Sequence, residues 1–121
     1  MDKAALLAGF GRDNLRVVPC DDNYAMQADA LDAMVQRDIS AGMLPCAVVA
    51  TTGTTATTAI DPVEAIAAVA QRYGLWLHVD AAMAGSAMIL PECRWMWQGI
   101  EGADSIAVSY THLTLPTKRI V

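Results

Sequence analysis

Asp80 closes a mostly apolar run, Leu75-Trp76-Leu77-His78-Val79-Asp80, and the residues after it, Ala81, Ala82, Met83, Ala84 and Gly85, bring no cation near it. A carboxylate so placed needs a partner, because an unpaired charge is costly to take out of water. One partner that fits is a protonated ring nitrogen: an aspartate opposite it keeps a heteroaromatic ring cationic and able to draw electrons out of a neighbouring bond. In an extended strand His78 and Asp80 point to the same side, and Ala82 follows them if the extended geometry persists. A methyl group there could touch the face of a flat ring without displacing it. Each residue also has a purely structural reading. Asp80 could accept a loop N–H or cap a helix, and His78 could be a core histidine with its hydrogen bonds satisfied.

The elements that must position these residues are readable from spacing. Cys46-Ala47-Val48-Val49-Ala50-Thr51 is a β-branched apolar run of strand length. A polar loop follows, Thr52-Gly53-Thr54-Thr55-Ala56-Thr57-Thr58, in which the Thr55 hydroxyl could serve a ligand or close a turn. Asp61-Pro62-Val63-Glu64 then predicts a helix start, with Asp61 as the N-cap, proline first in the helix and glutamate three residues after the cap. Ile66, Val69, Ala70 and Tyr73 share one helix face, and Gly74 suits a left-handed cap. With the run ending at Asp80 this makes a βαβ unit, whose parallel strands leave ligands to bind beyond their carboxyl ends. Both Asp80 and the threonine loop fall at such ends.

The alternation extends in both directions. Arg16-Val17-Val18-Pro19 is expected as a short strand, and Leu31, Met34, Val35 and Ile39 as the apolar face of a helix ended by Gly42 and Pro45. Residues 3–10 are expected as a helix stopped by Gly11, and residues 104–108 as a further strand.

The 121 residues suffice for one domain, and 55% hydrophobic with 17% charged residues argues against disorder. A net charge of −5 argues against a nucleic-acid partner. Neither a signal peptide nor a membrane span is recognisable, so the cytoplasm is the expected compartment. Cys20, Cys46 and Cys93 are odd in number and form no C-x-x-C pair, and are expected to be buried or neutral thiols without a functional role. Trp95 and Trp97 beside Met96 could wall an aromatic substrate, but packing against a neighbouring helix or subunit is the preferred reading.

Taken together, His78-Val79-Asp80-Ala81-Ala82, Gly85-Ser86-Ala87, Pro91-Glu92-Cys93-Arg94, Gly99 and Ala103-Asp104-Ser105 resemble the signature stretch of the group II pyridoxal-phosphate-dependent decarboxylases. Gly53-Thr54-Thr55, Asp61-Pro62 and the Lys3-Ala4-Ala5 helix continue the resemblance upstream in unbroken order. Within the family the sequence is most similar to the aromatic-L-amino-acid decarboxylase branch. The resemblance implies an α/β fold in which residues 1–108 are part of the large domain of the fold type I pyridoxal-phosphate enzymes, a mostly parallel sheet with βαβ crossovers. It implies that Asp80 holds the pyridinium nitrogen, Ala82 packs on the ring, Thr55 gives a hydroxyl to the cofactor pocket, and His78 lies just behind. The substrate would be an L-amino acid losing its α-carboxylate, and the parent enzyme a homodimer. The family's main phosphate contacts and its ring-stacking histidine would come from a segment upstream of the matched stretch. Met83 departs from the tyrosine that many relatives carry, which puts any hydroxyl role there in doubt.

The family's Schiff-base lysine would follow a histidine shortly after the Asp-Ser strand. Here the sequence reads Ser109-Tyr110-Thr111-His112-Leu113, so His112 is out of register and no lysine stands there. The resemblance stops at Ser109, and residues 109–121 are expected to be foreign sequence, with an ordinary divergent strand as the alternative. The chain is thus expected to be an inactive fragment of a decarboxylase. A noncatalytic α/β binding or regulatory module derived from such an enzyme is the second reading. A different α/β enzyme using Asp80 or His78 as acid or base ranks last, since no nucleophile elbow, phosphate loop or metal-ligand cluster accompanies them.

Overall fold

Chain order runs α1 (Asp2–Leu7), α2 (Ala28–Ser40), β1 (Ala47–Thr51), α3 (Val63–Tyr73) and β2 (Trp76–Asp80). Three short 3-10 segments follow, Gly85–Ile89, Pro91–Trp97 and Ile100–Gly102, before β3 (Ser105–Ala107). This is a computed structural model, and it describes residues 1–109. The expectations for positions 110–121, those for His112 and Leu113 included, lie outside the described residues.

The strands form one parallel sheet in the order β1-β2-β3, with Thr51, Asp80 and Ala107 in register at its carboxyl end. α3 makes the crossover between β1 and β2, so the expected βαβ unit is present. Its Val63, Ile66, Val69 and Ala70 pack on Val48, Ala50, Leu77 and Val79, with Leu31 and Val35 of α2 and the indole of Trp97 completing the core. Ile66 is fully buried, a side chain worth roughly 1.5–3 kcal/mol in area alone. Gly74 ends α3 with φ 66°, and the N–H of Leu75 returns to the carbonyl of Ala70 at 2.9 Å. Arg72 of α3 reaches Asp32 of α2 at 2.8 Å across the surface.

Several expectations are corrected. Residues 16–19 form no strand. Pro19 has no N–H to pair, and the segment is fastened instead by the Arg16 guanidinium to the Asp13 carbonyl (2.6 Å) and to Asp38, with one antiparallel bridge from Cys20 to Met26. The first helix ends at Leu7, short of position 10, because Gly9 turns left-handed (φ 84°) and the N–H of Phe10 folds back to Ala5. Ile39 lies beyond the stretch of α2 that meets α3 and is 46% exposed. Cys20 and Cys46 are exposed rather than packed, and Cys93 is half-buried. The two tryptophans separate: Trp97 is core, whereas Trp95 is 66% exposed.

Asp61 does not cap α3, whose N-cap is Pro62 without a side-chain bond. Its carboxylate is buried and bridges two distant segments, accepting from the N–H of Met26 through Oδ1 and of Thr51 through Oδ2, both at 2.7 Å. The neighbouring Thr52 is fully buried, and its hydroxyl has no hydrogen-bond partner among the described residues. Thr52→Val, which removes an unsatisfied polar atom while keeping the shape, is expected to raise stability by about 1 kcal/mol. An increase in the urea midpoint reads this out, and a decrease would mean that the hydroxyl is bonded in solution.

Candidate functional site at the carboxyl end of the sheet

Alternation divides β2 between two environments. Leu77 and Val79 face the helices and are buried, while Trp76, His78 and Asp80 face the other side and stay partly or largely exposed. The placement of His78 and Asp80 on one face, expected from the strand period, therefore holds. Thr51 of β1 and Ala107 of β3 flank Asp80 on that face.

Asp80 is half-buried, and its Oδ1 accepts the N–H of Ala82 at 3.1 Å. That bond is the structural role weighed for it from sequence, and it occupies only one oxygen. Oδ2 meets no donor among the described residues, and the ion pairs found there, Arg16–Asp38 and Arg72–Asp32, do not involve it. The carboxylate is thus oriented by the backbone two residues on, with one oxygen left for a ligand. Ala82, whose N–H makes that bond, is itself exposed.

The threonine loop leans against the segment that follows Asp80. Gly53 (φ 77°) comes so close to Ala84 that a Cβ at Gly53 would lie 2.6 Å from the Ala84 Cβ. Similarly, a Cβ on Gly85 would lie 2.6 Å from a Val108 methyl, which locks the loop after β2 to the end of β3. Within the threonine loop the hydroxyl that closes the turn belongs to Thr54, which pairs with Thr57 Oγ1 at 2.7 Å and accepts the N–H of Ala59 at 3.0 Å. Thr55 is exposed, and its hydroxyl makes no hydrogen bond to the described residues. Gly53→Ala is expected to destabilise the chain by about 2 kcal/mol or more, combining the left-handed penalty with a clash that no flexible side chain can relieve. Chemical denaturation checks this, and an unchanged midpoint would mean that the two loops are not in contact.

His78 is half-buried, with Nδ1 at 2.8 Å from the Ser105 hydroxyl, which also accepts the indole N–H of Trp76 at 2.9 Å. No spacing in the sequence points to this trio, because Ser105 lies 27 residues from His78 and 29 from Trp76. Asp104 organises the start of β3: its Oδ2 accepts the N–H of Leu77 at 2.7 Å, and its own N–H bonds the Leu77 carbonyl. No group of histidine, cysteine and acidic residues fit to hold a metal occurs among the described residues. A surface recess lined by Glu64, Gln71, Trp76, Glu101 and Asp104 lies at the opposite end of the sheet, away from Asp80.

Comparison with known proteins bears on the family and the fold. Residues 1–117 match the pyridoxal-dependent decarboxylase conserved domain. The aromatic-L-amino-acid decarboxylase of Bos taurus is 45% identical over 105 residues, which is 87% of this chain and 21% of that protein. The crystal structure of Catharanthus roseus tryptophan decarboxylase in complex with L-tryptophan superposes with a TM-score of 0.87 at 42% identity, over 91% of this chain and 23% of that one. That of Oryza sativa TDC with PLP gives 0.86 at 46% identity, over 89% and 23%. The chain spans about a fifth of the length of the curated relatives it matches. Its parallel α/β sheet is part of the fold those structures share, and the chain belongs to the pyridoxal-dependent decarboxylase family.

Proposed function

We propose that this chain forms one wall of the cofactor site of a pyridoxal-phosphate-dependent carboxy-lyase that converts an L-amino acid, aromatic by its relatives, to the amine. The observation that carries the reading is Asp80: a strand-end carboxylate with one oxygen held by the Ala82 N–H and, among the described residues, no donor to the other and no ion pair. The residues present fit the cofactor. Oδ2 of Asp80 matches a ring N–H, Ala82 is small enough to lie against a ring face, and the Thr55 hydroxyl is uncommitted. When bound, pyridoxal phosphate supplies an electron-withdrawing ring that stabilises charge left on the substrate carbon as the carboxylate departs. Asp80 holds the ring proton in place, Gly53 and Gly85 hold the loops around it at fixed spacing, and Asp61 anchors the base of the threonine loop.

Covalent attachment of the cofactor needs a lysine, and the sequence after Val108 has Leu113 where a histidine-aligned reading would put it. The 121-residue chain is therefore inactive by itself, and the activity belongs to the longer protein from which residues 1–108 derive. That protein is a homodimer in the cytoplasm, acting on a small-molecule substrate and not on nucleic acid. No helix among the described residues is long and apolar enough to cross a membrane.

The complete reading frame through Val108 decides between the readings. A His-Lys pair after β3, with carbon dioxide released from L-tryptophan, L-tyrosine or L-dopa in preference to L-glutamate, is the expected result. Preference for the acidic substrate would remove the aromatic assignment, and the native occurrence of residues 109–121 at the locus would remove the fragment reading and favour a noncatalytic module.

A further inference from the structure

The hydrogen-bond trio on the open face of the sheet fixes more than the position of His78. The indole of Trp76 can only donate, so its N–H at 2.9 Å takes one lone pair of Ser105 Oγ. The same oxygen lies 2.8 Å from Nδ1 of His78. Two arrangements are possible: the serine hydroxyl donates to Nδ1, or it accepts a second time and its own proton is left without an acceptor among the described residues. Ser105 makes no other side-chain hydrogen bond to the described residues, so the first arrangement satisfies all three groups and the second wastes a donor. With Nδ1 accepting, the ring proton of a neutral imidazole must sit on Nε2.

We propose that Ser105 is a positioning residue that, oriented by Trp76, holds His78 as the Nε2–H tautomer, so that His78 acts as a hydrogen-bond donor and not as a base. The relay runs across two parallel strands, with His78 opposite Ser105 in the register, and needs no cofactor to form. Its consequence for the reaction rests on the cofactor reading above: the donor stands on the same face as the open Asp80 oxygen, one pleat away. Acceptor atoms of a bound ring or of an amino-acid carboxylate are the groups it suits.

The test separates the two layers. Nitrogen-15 spectra of the imidazoles in the 121-residue chain, recorded at a pH where histidine is neutral, distinguish a pyrrole-like from a pyridine-like nitrogen. A His112→Gln background leaves His78 as the sole histidine. The expected spectrum shows His78 almost wholly as Nε2–H, shifting to a mixture of tautomers in Ser105→Ala, partly shifting in Trp76→Phe, and restored in Ser105→Thr. A predominantly Nδ1–H ring in the parent chain, or Ser105→Ala and Ser105→Thr both matching it, would overturn the proposal. Pyridoxal-phosphate titration of the same samples reports on the cofactor reading alone. The tautomer result stands whether or not the cofactor binds, and a cofactor that binds while the tautomer is unmoved by Ser105→Ala sinks only the relay.

Discussion

Asp61→Ala is expected to destabilise the chain by about 2–6 kcal/mol, because it strips the partner from two backbone N–H groups at once and each costs roughly 1–3 kcal/mol when left unsatisfied. The two bonds, to Met26 and Thr51, are both 2.7 Å, and the carboxylate that accepts them is buried. A loss of this size is comparable with the whole stability of a small domain, which is about 5–15 kcal/mol. Asp61→Asn isolates the mechanism. An amide presents one acceptor and one donor group, so it can keep only one of the two bonds and should lie between the parent and the alanine variant. Equilibrium urea unfolding followed by tryptophan fluorescence measures both. Equal midpoints for parent and alanine variant would show that water satisfies Met26 and Thr51 and that Asp61 holds nothing together. The effect should also spread to the site, since the N–H of Asp61 bonds the Thr51 carbonyl and the bridge from Thr52 to Ile60 closes the threonine loop immediately above.

Asp80→Asn should do the reverse, leaving the fold intact and removing function. The asparagine carbonyl can still accept the Ala82 N–H in place of Oδ1, so the local turn survives, but the negative charge proposed to face the ring nitrogen is gone. A hydrogen bond to a charged group is worth about 1.5–3 kcal/mol, and at tenfold per 1.4 kcal/mol this predicts a roughly 10- to 150-fold loss of kcat/KM in the full-length protein carrying this segment. Pyridoxal-phosphate affinity should fall in parallel, with the thermal midpoint of the apoprotein unchanged. Undiminished turnover in the variant would mean that Asp80 is only the strand-end acceptor that its bond to Ala82 also allows. Asp80→Ala is the weaker experiment, because it removes the turn and the charge together.

Much of the local structure was legible because it depends on short-range spacing. The face of α3, the left-handed cap at Gly74 and the common side of His78 and Asp80 each follow from a helical period of 3.6 or a strand period of 2, and all are present. The expectations that failed involve partners far away in sequence. Asp61 has the pattern of an N-cap, but its two hydrogen bonds lie 35 and 10 residues upstream, and two buried N–H groups compete better for a carboxylate than a helix end open to water. Residues 16–19 have strand composition but join no strand: the segment is held by Arg16 to Asp13 and Asp38, and the Pro19 carbonyl accepts the N–H of Gln27 instead.

The site divides along the same line. The sequence by itself determined the family resemblance, the identity of the carboxylate, the small residues after it and the lack of a His-Lys pair after Val108. Only the tertiary structure decided that one oxygen of Asp80 is spent on Ala82 while the other is open, that Thr54 and not Thr55 closes the loop, and that Ser105 and Trp76 meet at His78. Those outcomes depend on which backbone N–H or hydroxyl lies within 3 Å of which acceptor, and strand register, loop closure and the absence of a side chain at Gly53 set those distances together.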